Sequence, residues 1–377
     1  MTGPVTVPAG LRNVVVTSTE LGDVRGDEGF YHYRQYSAVD LARTRGFTDV
    51  AALMIDGALP DGPGFAAEIA PLRVLPAAVR DVLPAIAAAG GSPLAGLRTA
   101  LSLTGAALGL APLWDADPGT RRADALRICA LTPTILAALY RLRHGLAPVD
   151  PDPRRSPAEE WLHMVTGAEP LPEHVRAVER YLVATVDHGF NASTFTARVV
   201  ASTGADLAAA VVAAIGAFSG PLHGGAPDRA LAALDEIGSP DPVRIDSWVR
   251  EKVLAGDRIM GFGHAVYRTE DPRARLLRET ALELGGDLAT FALAVEERVV
   301  AVLAELKPER KLYANVEFYA GVVMERCGLP REMFTPTFAV SRVVGWAANI
   351  LEQAGERRII RPAARYVGPV PPQPVPA

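Results

Sequence analysis

Residues 205–218 read Ala-Asp-Leu-Ala-Ala-Ala-Val-Val-Ala-Ala-Ile-Gly-Ala-Phe, apolar nearly all the way round a helix. A helix without a polar face has to be buried on every side, so the rest of the chain must wrap other helices around it. The sequence supplies them. Residues 120–145 form a long alanine- and leucine-rich segment interrupted only by Pro133, where a kink is expected. Residues 288–306 carry apolar side chains at 288, 291, 295, 299, 302 and 306, with Glu296, Glu297 and Glu305 directed elsewhere, the pattern of an amphipathic surface helix. Residues 335–354 open on Thr-Pro and are largely apolar, yet contain Arg342.

Boundary signals agree with a helical chain. Ser37-Ala-Val-Asp40 is a capping-box variant, Gly46 a stop, and a second short helix opens at Thr48 and closes near Gly57. Ser92-Pro93 and Leu171-Pro172 place proline where a first helical turn tolerates it. Residues 150–157 are a polar, proline-punctuated loop before another helix. The first 35 residues read as irregular, with one short β-like run from Val14 to Thr19. The tail from Pro362 holds six prolines and reads as an extended arm. No repeat at solenoid spacing is visible, and the expected class is all-α.

A chain of 377 residues, 49% hydrophobic and 21% charged, is long enough for two domains or one large one and is globular rather than disordered. Its net charge of −5 provides no basic field for nucleic acid, whereas scattered arginine-rich spots suit small anions. Two cysteines, Cys129 and Cys327, exclude a disulfide framework and a cysteine-based zinc site, and read as packing residues. The N-terminus lacks a signal-peptide pattern and no run approaches bilayer-spanning length, so a cytoplasmic chain without membrane contact is expected.

The chemistry concentrates in a few glycine-flanked turns. In Gly261-Phe262-Gly263-His264-Ala-Val-Tyr-Arg268-Thr-Glu-Asp-Pro-Arg273 an imidazole and two permanent cations share a loop, which suits an anionic substrate with a carbonyl to polarise. His188 lies in Val-Asp-His-Gly-Phe-Asn-Ala-Ser-Thr, between two helices. His223 lies in Ser-Gly-Pro-Leu-His-Gly-Gly, entering a helix that begins near Ala226, where the unpaired N–H groups disfavour an imidazolium. A neutral histidine so held can donate a hydrogen bond to a developing enolate oxygen. The other histidines, His32, His144, His163 and His174, read as structural or solvated. Glu317, in Tyr313-Ala-Asn-Val-Glu-Phe-Tyr-Ala-Gly321, is a lone acid in an apolar and aromatic run, where burial raises a carboxyl pKa toward use as a general base. A structural ion pair is the alternative. Arg342 requires an anionic partner, from the protein or from a ligand.

These segments together resemble the citrate synthase family over nearly the whole chain. The resemblance starts at Gly26-Asp-Glu-Gly-Phe-Tyr-His-Tyr-Arg-Gln-Tyr36, passes through the His188, His223 and 261–273 motifs, and ends with Ile359-Ile-Arg-Pro362 and Tyr366-Val-Gly-Pro369. It implies a mostly helical homodimer with a large domain (1–223 and 329–377) and a smaller inserted one (224–328). It also implies condensation of an acyl-CoA with oxaloacetate, without metal or redox cofactor and with acetyl-CoA as the expected donor. By the same resemblance His223, His264 and Glu317 are catalytic, while His188, Arg273, Arg342 and the partner-contributed Arg361 hold oxaloacetate. Gly261, Phe262, Gly263, Arg268 and Lys311 contact CoA. One departure is evident: the family usually has aspartate where this chain has Glu317. A 2-methylcitrate synthase using propionyl-CoA, and a weakly active regulatory paralogue that binds CoA or oxaloacetate, remain as alternatives.

Overall fold

The computed structural model describes residues 5–11, 13–224 and 227–376. Near the N-terminus a three-stranded antiparallel sheet is built from β1 (Gly22–Arg25), β2 (Phe30–Tyr33) and β3 (Tyr36–Ser37), with Gly22 opposite Tyr33 and Tyr33 opposite Tyr36. Helices follow. The first group is α1 (Ala38–Thr44), α2 (Phe47–Asp56), the short α3 (Gly64–Ile69), α4 (Ala77–Arg80) and α5 (Leu83–Ala88), then α6 (Pro93–Leu108) and α7 (Pro118–Arg143). Next come α8 (Pro157–Thr166), α9 (Pro172–Thr185), α10 (Ala192–Ser202), α11 (Leu207–Phe218), α12 (Pro227–Ile237) and α13 (Pro242–Leu254). The chain closes with α14 (Pro272–Leu284), α15 (Asp287–Leu306), α16 (Val316–Arg326) and α17 (Phe334–Glu356), and an arm without helix or strand. The class is all-α, as expected, with the small sheet as its one β element among the described residues.

Local chemistry explains the boundaries. The Ser37 hydroxyl accepts from the Asp40 N–H at 3.2 Å, and Gly57 ends α2 with φ of 90°, in the region where glycine carries no steric cost. Gly46 caps the start of α2 rather than ending α1. Ser92 and Asp117 cap α6 and α7, each followed by proline in the first turn. Val14 to Thr19 forms no strand. A β-branched run needs a partner, and here the pairing belongs to the hairpin that follows it.

The long α7 is continuous through Pro133. It is also long and apolar enough to cross a bilayer, contrary to the sequence-based expectation, but 72% of that apolar window is buried inside the protein, against α5, α6, α8 and α17. The apolar α11 packs between α6, α10 and α17, but not on every side: Ala209, Val212, Ala213, Gly216 and Ala217 form a face that is only half-buried. On α15 the buried stripe is Ala289, Ala292, Val295, Val299 and Val302, and Glu296 joins it instead of facing away. Its carboxylate accepts from the Tyr319 hydroxyl at 2.5 Å and pairs with Arg278 at 3.3 Å, so tertiary partners override the helical periodicity. Both cysteines are buried and unbridged, and burial pushes each thiol up to about 12, consistent with packing roles.

The helix that organises the functional face is α17. At Gly345 an added Cβ would lie 2.2 Å from the Val186 carbonyl oxygen, so only glycine lets α17 press on the 186–191 link between α9 and α10. That link carries His188.

Candidate active site

A backbone clamp brings two of the predicted motifs together. The Asn315 N–H donates to the Gly261 carbonyl at 2.8 Å, the Gly263 N–H to the Tyr313 carbonyl at 2.8 Å, and Asn315 Nδ2 to the Gly263 carbonyl at 2.9 Å. Gly261 and Gly263 have φ of 85° and 82°, and an added Cβ at Gly261 would meet the Phe318 side chain at 3.1 Å. Asn315 then caps α16 by accepting from the Glu317 N–H at 3.0 Å. The His264 loop and the first turn of α16, which carries the half-buried Glu317, are thus one unit.

His264 Nδ1 accepts from the N–H groups of Val266 and Tyr267, each at 3.0 Å. With that lone pair used, hydrogen bonding assigns the proton of the neutral ring to Nε2. Nε2 lies 3.1 Å from Arg273 Nη2. A guanidinium can only donate, so Arg273 and the backbone N–H groups compete for the lone pair of the neutral ring. Arg273 is buried and held by Asp271 through Nε–Oδ1 at 3.0 Å and Nη2–Oδ2 at 2.8 Å. Burial opposes its charge, yet the Asp271 carboxylate keeps its pKa above the ordinary value. His188 joins this group: its Nε2 is 2.9 Å from the Tyr267 hydroxyl, and its ring lies 5.5 Å from those of His264 and Tyr31.

His223 is held in the opposite sense. Its Nε2 accepts from the Ser193 N–H at 3.2 Å and lies 2.8 Å from Ser193 Oγ. Ser193 Oγ in turn accepts from Trp346 Nε1 at 3.0 Å, and its single proton can go to His223 Nε2 or to Asn191 Oδ1, each 2.8 Å away. The Nε2 lone pair is occupied, so the proton of His223 sits on Nδ1. Ala226, where the next helix was expected to start, and Gly225 of its motif lie outside the described residues; α12 begins at Pro227.

Arg342 emerges from α17 fully buried. Its Nε donates to the Thr185 carbonyl at 2.9 Å, its guanidinium lies over the Phe338 ring at 4.6 Å, and its Nη2 has no hydrogen-bond partner among the described residues. Burial pulls its pKa below the ordinary value. It lies within electrostatic range of His188, His223, Tyr181 and Asp187, and Glu317 likewise acts on Tyr181. The structure therefore gathers His188, His223, His264, Arg273, Arg342 and Glu317 around one region. Lys311 and Arg268 are exposed nearby on the 261–315 side, with the Arg268 N–H bonded to the Gly26 carbonyl at 3.0 Å. Arg361 stands apart, exposed on the C-terminal arm next to Ile360, whose N–H is pinned by Ser202 Oγ at 3.0 Å.

Sequence inspection gave no role to several supporting groups. Tyr31 and Tyr33 from β2 donate to the carbonyls of Ala184 and Val183, both at 2.9 Å, and so hold the end of α9. Asp187, Ser193, Tyr267, Asp271, Asn315 and Trp346 were also without assigned roles. Asp271 and Asn315 had a visible signal, a capping side chain two residues before Arg273 and Glu317. Among the described residues no group of three or more His, Cys, Asp or Glu is placed to hold a metal.

Burial, then the nearby guanidinium groups, lowers all three imidazoles: His223 and His264 to about 4, and His188 well below its ordinary 6.5. Each folded pKa lies below the unfolded one, so the unfolded chain binds more protons between about pH 4 and 6.5. The contribution of these rings to stability is complete above 6.5 and is lost as pH falls toward 4. Asp187, raised to about 6 by burial, runs the other way, losing its contribution as pH rises from 3.8 through 6. Imidazole ¹⁵N spectra should show His223 as the Nδ1–H and His264 as the Nε2–H tautomer, both persisting at pH 5.5. Protonation of either ring near pH 6.5 would contradict the geometry.

Imidazoles, buried guanidinium groups and a carboxylate gathered in one region of a mostly helical scaffold have the composition of an enzyme site for an anionic substrate. Residues 10–363 match the family described as Citrate synthase, C-terminal domain. The chain is 39% identical over 366 residues to the citrate synthase of Haloferax volcanii, covering 95% of each chain. It is also 39% identical over 371 residues to the putative citrate synthase 2 of Mycobacterium tuberculosis, covering 97% of this chain and 94% of that one. Among solved structures, the Thermotoga maritima citrate synthase superposes with a TM-score of 0.85 at 32% identity, covering 98% of each chain. That of Thermoplasma acidophilum, a ternary complex with carboxymethyl coenzyme A and oxaloacetate, superposes with a TM-score of 0.88 at 28% identity, covering 97% of each. The chain belongs to the citrate synthase family, enzymes that transfer acyl groups in a condensation.

Proposed function

We propose that the protein condenses acetyl-CoA with oxaloacetate and water to give citrate and CoA. The observation that carries this reading is the pair of opposed backbone contacts on the two rings. Backbone N–H groups donate to Nδ1 of His264 and to Nε2 of His223, so the opposite nitrogen of each ring is the one assigned to a substrate oxygen. Glu317 removes a proton from the thioester methyl group, and His223 Nδ1–H stabilises the enolate oxygen as it forms. The methyl carbon then bonds to the ketone carbon of oxaloacetate as its C=O π bond opens, and the oxygen, hydrogen-bonded by His264 Nε2–H, takes up a proton in place of the one Glu317 removed. Water hydrolyses the resulting thioester and releases CoA. Three neutral imidazoles in a buried site favour donors over cations, and no cofactor is required because acetyl-CoA is a substrate.

His188, Arg273 and Arg342 hold the carboxylates of oxaloacetate, joined by Arg361 from a second copy of the chain. Arg342 Nη2, unpartnered among the described residues, and the contact of His264 with Arg273 support this assignment. The 261–263 backbone, Arg268 and Lys311 serve CoA. The protein acts as a cytoplasmic homodimer in the tricarboxylic acid cycle, with residues 224–328 closing on the remainder once oxaloacetate binds and water is excluded. The Thermoplasma relative, solved with carboxymethyl coenzyme A and oxaloacetate, supports the substrate pair.

Glu317 bears on the donor. Its extra methylene, relative to aspartate, occupies room that a further substrate methyl would need. Acetyl-CoA is thus expected to exceed propionyl-CoA in kcat/KM by roughly 10- to 200-fold, the range one methylene commands. Thiol-reagent detection of CoA release with each donor measures this. A preference for propionyl-CoA would make the enzyme a 2-methylcitrate synthase, and no release with either would leave a binding paralogue.

A further inference from the structure

The Asp271 carboxylate does more than balance Arg273. It is 1% exposed and stands at the start of two helices, α14 and α16. Oδ1 accepts from the Arg273 N–H at 3.0 Å, which caps α14, and from Arg273 Nε at 3.0 Å. Oδ2 accepts from Arg273 Nη2 at 2.8 Å and from the Val316 N–H at 3.1 Å. A carboxylate offers about four lone-pair sites, and here each has a donor. Burial opposes the Asp271 charge, yet Arg273 holds its pKa below the ordinary value, so the group is ionised.

We infer that Asp271 is a positioning residue that fixes the base, Glu317, relative to Arg273, the guanidinium that holds oxaloacetate. The inference rests on the reaction proposed above. A counter-charge for Arg273 needs only the two side-chain bonds. The further bond to Val316 reaches the first residue of α16, one place before Glu317. An anionic group there also meets the positive end of the helix dipole. Asn315 Oδ1 accepts from the Glu317 N–H, so the first turn of α16 is fastened at two adjacent N–H groups, one of them by the carboxylate that grips Arg273. Carbon–carbon bond formation needs the methyl group approached by Glu317 and the ketone held through Arg273 at near-attack separation. One rigid carboxylate sets that separation.

The bond to α16 can be removed by itself. Proline lacks the N–H and is tolerated at the first position of a helix, and Asn315 before it is extended, with φ of −103° and ψ of 175°, as a following proline requires. In Val316→Pro of the full-length protein, Asp271 therefore still grips Arg273 but no longer holds α16. Its kcat at saturating oxaloacetate should fall roughly 10- to 100-fold, the scale of a misplacement of about 1 Å, while calorimetry finds the oxaloacetate Kd within about threefold of the wild type. Val316→Ala trims the same side chain but keeps the N–H, and should retain the wild-type kcat. Asp271→Asn has one oxygen where two are needed, and should both raise the Kd and lower kcat. A kcat in Val316→Pro equal to that of Val316→Ala, a Kd that rises as its kcat falls, or full recovery of kcat in Asp271→Asn at saturating oxaloacetate would each overturn the inference alone. Absence of CoA release from the wild type would bring down the reaction and the inference together.

Discussion

Glu317→Gln is expected to lower kcat by roughly 10²- to 10⁴-fold, the span associated with a positioned general base. Calorimetric titration should find oxaloacetate affinity nearly unchanged, because Arg273, Arg342 and His188 remain in place. The thioester α-hydrogen is a weak acid, and the amide is the same shape as the carboxylate but cannot accept its proton. The backbone supports so conservative a change, since Asn315 Oδ1 accepts the residue's own N–H and involves no side-chain atom of Glu317. Exchange of the acetyl hydrogens with solvent deuterium, followed in the presence of a non-reacting oxaloacetate analogue, should disappear with turnover. Turnover within tenfold of the wild type would remove Glu317 from the role of base.

Arg342→Met is expected to raise the Kd for oxaloacetate by roughly 30-fold to several-thousand-fold, from the 2–5 kcal/mol lost when one partner of a buried charge pair is truncated. Its effect on stability should differ in sign from that of most core substitutions. The guanidinium is fully buried, one of its nitrogens is unpartnered, and burial pulls its pKa down, so the free protein carries a charge the fold does not fully neutralise. Methionine fills similar space over Phe338 without that cost, and the melting temperature should be no lower than that of the wild type. A variant that melts well below the wild type and retains its affinity would identify Arg342 as a structural counter-charge to Asp187 instead.

How much of this was legible in the sequence depends on the range of the interaction involved. Helix ends set by adjacent side chains were legible: Ser37 before α1, Gly57 after α2 and Ser92 before α6 each act within four residues. Burial of the greater part of α11 followed from its composition, though one face is only half-buried. Features decided by distant partners were not. Glu296 looked solvent-facing by helical periodicity, but Arg278 and Tyr319 reach it from α14 and α16. The strand expected at Val14 to Thr19 lost to a hairpin whose pairing no local propensity reveals. The site follows the same division. Glycine-flanked histidines and arginines marked themselves by their company, whereas Ser193 and Trp346, which set the His223 tautomer, are ordinary residues until the fold brings them to it.

The clamp between residues 261–263 and 313–315 has a mechanical consequence. Because Asn315 binds both that loop and the first turn of α16, His264 and Glu317 are fastened to a single strut. If residues 224–328 move as proposed, the two travel together and keep their spacing. The gaps to His223, His188 and Arg342, which lie outside that unit, are the ones that change.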